Sequence, residues 1–175
     1  MNAIWGLYSD ALGANPVEAV IHETGEWGLR LLLLTLAISP LRRIFKFHSL
    51  IHLRRMFGLL CFFYILIHFS IYLVLEQWFD WLAIVEDIKE RPYITVGFAA
   101  FVLLIPLAVT STNAMQQRLQ SAWVKLHKLV YVISILAILH FWWLVKADLF
   151  EPIIYALILS LLLAYRLYTR IELFK

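Results

Sequence analysis

Residues 128–143 read "KLVYVISILAILHFWW": one lysine, then an apolar run with a single imidazole inside it, His140. A second imidazole, His127, stands at the charged edge of that run in "KLHK". A spanning helix needs about 20 apolar residues, and this run with its flanks supplies them over about 122–146. An imidazole set among hydrocarbon is costly, and such residues are functional candidates. The segment therefore decides the class of fold and says where chemistry is to be sought.

The rest of the chain agrees with it. The chain has 175 residues, of which 63% are hydrophobic and 15% aromatic, and its mean hydropathy is +0.81. An ordinary soluble domain is about half apolar. The excess lies in long runs, at about 26–44, 55–76, 92–111, 122–146 and 152–168. The expected fold is an all-α integral membrane bundle, one domain over 1–175 with about five transmembrane helices. Pro92 and Pro152 suit helix starts, and Pro106 is expected to kink its helix. Residues 1–29 contain no Lys or Arg, so the basic region of a cleavable signal peptide is not expected.

Composition also excludes functions. A net charge of +3 gives no reason to expect a nucleic-acid partner. The single cysteine, Cys61, excludes an intramolecular disulfide and any C-x-x-C haem attachment or zinc motif, and it reads as a small core residue. The six glycines form neither G-x-G-x-x-G nor a P-loop. A redox role would therefore draw its electrons from another protein or a membrane carrier.

Basic residues set the orientation. Arg42, Arg43, Lys46, Arg54 and Arg55 follow the first run, Arg118, Lys125 and Lys128 follow the third, and Arg166, Arg170 and Lys175 close the chain. The opposite side carries Lys89, Arg91 and Lys146 beside an acidic N-terminal segment. The first group and the C-terminus are expected in the cytoplasm. The stretch 77–91, "QWFDWLAIVEDIKER", mixes aromatic and apolar residues with acids and reads as a short helix in the outer interface.

Six histidines are present. His22, His48 and His52 fall in charged segments and read as solvated. His68 and His140 lie inside apolar runs that cross in the same direction. His68 is 13 residues past Arg55 and His140 is 12 past Lys128, so both sit roughly 18–20 Å from the basic edge. Two imidazoles at equal depth on different helices can clamp a flat metallo-macrocycle, and neutral imidazole is a standard haem ligand. The competing reading gives each ring a hydrogen bond to a neighbouring helix, in a small transporter or assembly anchor without redox chemistry. His127 is separate. On a continuous helix it lies roughly 140° around and about 20 Å along from His140. With Arg54, Arg55, Arg118 and Lys125 it reads either as a patch suited to a phosphate-bearing cofactor or a quinone headgroup, or as a plain basic rim anchoring the chain at the membrane surface. Arg30, a turn into the first run, and Arg91, beside Pro92, are candidates for binding haem propionates.

Several stretches together resemble one family: "LGANPVEAVIHETGEW", "LLLLTLAISPLRR", "LRRMFGLLCFFYILIHFSIYL", "DIKERPYITVG", "LAVTSTNAMQQRL", "WVKLHKLVYVISILAILHFWWLVK" and "EPIIYALIL". The chain resembles the MsrQ (YedZ) family, ferric-reductase-like transmembrane proteins, from about residue 12 to 168. The resemblance implies a haem b and FMN protein of the bacterial inner membrane. Such a protein passes electrons from the quinone pool, or from a cytoplasmic flavin reductase, to a periplasmic molybdopterin methionine sulfoxide reductase, MsrP. The three family histidines map onto His68, His127 and His140. The family usually carries a further helix before the "NPVE" segment, where this chain has "MNAIWGLYSDALGA". Turnover of methionine sulfoxide is not expected from this chain alone.

Overall fold

A computed structural model describes residues 15–145 and 149–172, and within them every regular element is helical. Lys146 and Lys175, used above for orientation, lie outside the described residues, as does the side chain of His48. Helix α1 is Pro16–Phe45. It begins ten residues before the first apolar run because local capping, not hydropathy, sets its start. Asn15 accepts from the Glu18 amide at 3.3 Å, and Pro16 occupies the first turn, where its missing N–H costs nothing. The helix ends at Lys46 in the left-handed conformation, φ 56°.

A tight turn, His48–Leu50, leads into α2, Ile51–Ile71. That helix widens into a π turn at Tyr72–Glu76, closed by Gln77 N–H donating to Tyr72 O at 3.0 Å. Helix α3, Trp81–Glu90, is capped by Asp80, whose carboxylate accepts from the Leu82 and Ala83 amides. Then come α4, Pro92–Val109, and the short α5, Asn113–Leu119, and α6, Ser121–Leu126. Helices α7, Leu129–Leu144, and α8, Phe150–Glu172, complete the described chain.

Four stretches are long and apolar enough to cross a membrane: Ile51–Glu76, Pro92–Val109, Ser121–Leu144 and Phe150–Thr169. Helix α1 is a fifth long helix, interrupted by Glu26, Arg30, Arg42 and Arg43. It can carry charges because it is sheltered: Leu29, Leu32, Leu33 and Leu36 are buried, and it packs against α2, α7 and α8. Its inner charges also neutralise each other. Arg30 pairs with Glu26 at 2.5 Å, donates to the Tyr155 hydroxyl at 2.9 Å and lies 5.2 Å over the Trp27 ring. Two helix pairs dominate the packing, α1 with α2 and α4 with α7, and α8 crosses both α1 and α7.

One long-range contact follows from a proline. Pro40 has no N–H, so the Leu36 carbonyl loses its helical donor. Arg166 of α8 replaces it, with Nη2 donating to Leu36 O at 2.7 Å. Its Nη1 donates to the Tyr131 hydroxyl at 2.5 Å, and the guanidinium lies 5.0 Å over that ring. A buried carbonyl left without a donor costs about 1–3 kcal/mol. Arg166→Met is expected to lower unfolding stability in detergent by about that amount. In a Pro40→Ala background, where Leu36 regains its own donor, the loss is expected to be smaller. Equal losses in the two backgrounds would show that Arg166 does not serve this carbonyl.

Candidate functional site

The two helix pairs enclose a cavity of about 640 Å³ between α1, α2, α4 and α7. Its walls are apolar and aromatic, with Phe69 tilted against Phe101 at 4.8 Å and against Phe98 at 5.9 Å. Glu18, His22, Glu26 and Glu76 line one end. That volume lies in the range of ordinary cofactor sites.

His68 and His140 meet across this cavity. Their ring centroids are 6.3 Å apart and their planes stand at 82°. Each ring is held from behind by the first helix of its own pair. His68 Nδ1 bonds the Ile21 carbonyl of α1 at 2.9 Å, and His140 Nδ1 bonds the Tyr93 carbonyl of α4 at 2.7 Å. A carbonyl only accepts, so Nδ1 carries the proton in both rings and Nε2 is left with its lone pair. Among the described residues no group of three or more His, Cys, Asp or Glu side chains is placed to hold a bare metal ion. Two imidazoles suit a metal that brings its remaining ligands with it.

The other expected residues fall elsewhere. His127 ends α6, away from the cavity. It stacks on Trp123 at 3.9 Å, its Nδ1 donates to Trp123 O at 3.3 Å, and its buried Nε2 makes no hydrogen bond. Trp123 in turn donates to the Thr110 carbonyl at the end of α4. Arg54 is half-buried beside Arg166, Arg42 and Tyr131, and its charge reaches His127. Arg55 donates to Asn113, and Arg118 and Lys125 are exposed. Arg30 does not line the cavity, although its partner Glu26 does. Arg91 pairs with Asp87 at 3.1 Å. Its pKa is raised, first by a hydrogen bond to Tyr93 and then by the Asp87 charge.

Sequence reading missed three features of the site. His22 lines the cavity instead of facing water. Gly25 and Gly97 lie against the two imidazoles. The signal available was spacing: "IHETG" at 21–25 and "YITVG" at 93–97 each put a glycine four residues after an acceptor carbonyl.

Residues 24–138 match the family described as "Ferric reductase like transmembrane component", which gives the class. The chain is 52% identical over 169 residues to the "Protein-methionine-sulfoxide reductase heme-binding subunit MsrQ" of Xanthomonas axonopodis pv. citri (strain 306), covering 97% of this chain and 78% of that one. It is 54% identical over 164 residues to the same subunit of Xanthomonas campestris pv. campestris (strain 8004), covering 94% and 75%. It is 51% identical over 163 residues to that of Herminiimonas arsenicoxydans, covering 91% and 75%. No solved structure matches it. The chain belongs to the MsrQ family of ferric-reductase-like multi-pass membrane proteins.

Asp87 organises the cavity's acidic end. Its carboxylate accepts from the Tyr72 hydroxyl at 3.1 Å, from Gln77 Nε2 at 2.6 Å and from Arg91. These bonds tie the π turn to α3 and to the start of α4. Bonds to a charged acceptor contribute about 1.5–3 kcal/mol each. Asp87→Ala is therefore expected to speed amide exchange across 72–91 by about tenfold or more, with α7 unchanged. Unaltered exchange at 72–91 would remove Asp87 as the latch.

Proposed function

We propose that the chain is a membrane electron-transfer subunit that holds haem b between His68 and His140. The observation that carries the reading is the imidazole pair. The two ring centroids stand 6.3 Å apart across the cavity, a gap in which both Nε2 atoms would be able to hold one metal. Haem held by His68 and His140 would supply one-electron chemistry there. The chain does the rest. The Ile21 and Tyr93 carbonyls fix the tautomer and strengthen each Nε2 as a donor. The phenylalanine walls keep water out and lower the local dielectric. The names of the relatives, each a haem-binding subunit of a protein-methionine-sulfoxide reductase, support the same reading.

In this proposal the basic end faces the cytoplasm of a bacterial inner membrane, with the C-terminus. There Arg54, Arg55, Arg118, Lys125 and His127 receive a quinol headgroup or the phosphate of a reduced flavin such as FMN, from the quinone pool or a flavin reductase. Arg91, beside Pro92, and Arg30, whose partner Glu26 lines the cavity, are the candidate cations for propionates. The outer end presents Trp78, Trp81 and Leu82, all well exposed, beside Glu86 and Asp87. A periplasmic MsrP-like molybdoenzyme docking there would take the electrons for repair of oxidised proteins.

His68→Ala and His140→Ala are each expected to lose the low-spin absorption spectrum of a bis-imidazole haem, while His127→Ala keeps it and loses electron input. Full haem and an unchanged spectrum in both cavity variants would sink the assignment. A wild-type protein with no Soret band would leave the histidines a packing role. Direction is tested in oriented vesicles reduced from the basic side. Rapid reoxidation is expected only when the soluble partner is added at the acidic side. Equal reoxidation from either side would overturn the proposed direction.

A further inference from the structure

We infer that Gly25 and Gly97 are positioning residues for the two imidazoles: each leaves open the gap through which the ring on the paired helix reaches a backbone carbonyl. The inference rests on the reading that His68 and His140 hold a haem. The same arrangement occurs twice. His68 bonds a carbonyl 47 residues earlier, and so does His140. In both cases the residue four beyond the acceptor, on the acceptor's own helix, is glycine.

The geometry of a helix explains the coincidence. Each Cα–Cβ bond leans toward the helix N-terminus, so the side chain at i+4 covers the turn that holds residue i. A ring approaching the carbonyl of residue i from a neighbouring helix must pass where the Cβ of i+4 would stand. A Cβ on Gly97 would lie 2.7 Å from His140 Nδ1 and 2.8 Å from its Cε1. One on Gly25 would lie 3.1 Å from both Nδ1 and Cε1 of His68. The first is closer than atoms can stand and must move the ring. The second asks for a shift of a few tenths of an ångström. Gly58 provides the contrast: a Cβ there meets only Thr35 Cγ2, at 3.8 Å.

The glycines thus do more than bring helices close. They let each imidazole keep its Nδ1–H on a carbonyl and its Nε2 toward the cavity, and they set the two ring planes at 82°. The electron paramagnetic resonance of a low-spin ferric haem reports that arrangement, because its anisotropy follows the angle between the imidazole planes. Wild-type protein is expected to give the strongly anisotropic low-spin signal of nearly perpendicular rings. Gly97→Ala is expected to lose the low-spin signal, with haem held through His68 alone in a high-spin form. Gly25→Ala is expected to keep its haem and shift the low-spin signal and the midpoint potential. Gly58→Ala is expected to match wild type.

Gly97→Ala with wild-type haem content and an unchanged signal would overturn the inference. If that variant does not accumulate, Gly25→Ala carries the test alone, and an unchanged signal and potential there overturn it equally. The underlying reading fails separately, when the wild type binds no haem or when His68→Ala and His140→Ala both keep the low-spin signal.

Discussion

The bundle turns on a hydrogen bond made twice, from an imidazole N–H on one helix to a backbone carbonyl on its neighbour. Inside a membrane protein a polar group has no water to fall back on. A buried donor left unmade costs about 1–3 kcal/mol, more than a made bond contributes net. Each histidine therefore needs a partner helix at a fixed height. His68 finds Ile21 on α1, and His140 finds Tyr93 on α4. Those bonds run within the two dominant helix pairs, and they point the opposite edge of each ring at the space between the pairs. The cavity is where the two backs are turned.

The charged groups divide accordingly. At the end where α1 begins, cations are paired, Arg30 with Glu26 and Arg91 with Asp87. At the opposite end Arg54, Arg166 and Arg42 gather with no carboxylate bonded to them among the described residues. Arg166 is stabilised there by what the backbone lacks, since Pro40 frees the Leu36 carbonyl that it bonds. Like charges crowded together cost energy unless something answers them. Among the described residues these ion pairs fall at one end, and the cluster of guanidiniums at the other.

Much of this was legible from hydropathy and helical rise. The apolar runs give the all-helical membrane class. Counting from Arg55 and from Lys128 puts His68 and His140 at one depth, where the structure brings their rings to 6.3 Å. What was not legible involves backbone. The hydrogen bond from each imidazole to a neighbouring helix, the competing reading of the sequence, is present; which carbonyl accepts it is not something side-chain identity reports. Gly25 and Gly97 work through an absent atom. His22 reads as a surface residue because the start of α1 is polar, yet α1 turns that face to the cavity. His127 was placed by phase on a continuous helix, but α6 ends there and α7 begins at Leu129. Trp123, not helical phase, orients its ring.

Distance then constrains how the proposed relay can work. The imidazole pair lies toward the acidic end, and His127 stands 13 residues before His140, across the break between α6 and α7. Electron transfer weakens steeply with separation, so a donor resting on the exposed rim at Arg118 or Lys125 would be poorly placed. A donor headgroup lodged deeper, against half-buried Arg54 and the Trp123–His127 stack, shortens the path. It would also meet the guanidinium groups gathered there. Within the proposed relay this geometry would favour a carrier that can push a polar head between helices over one held at the exposed Arg118 and Lys125.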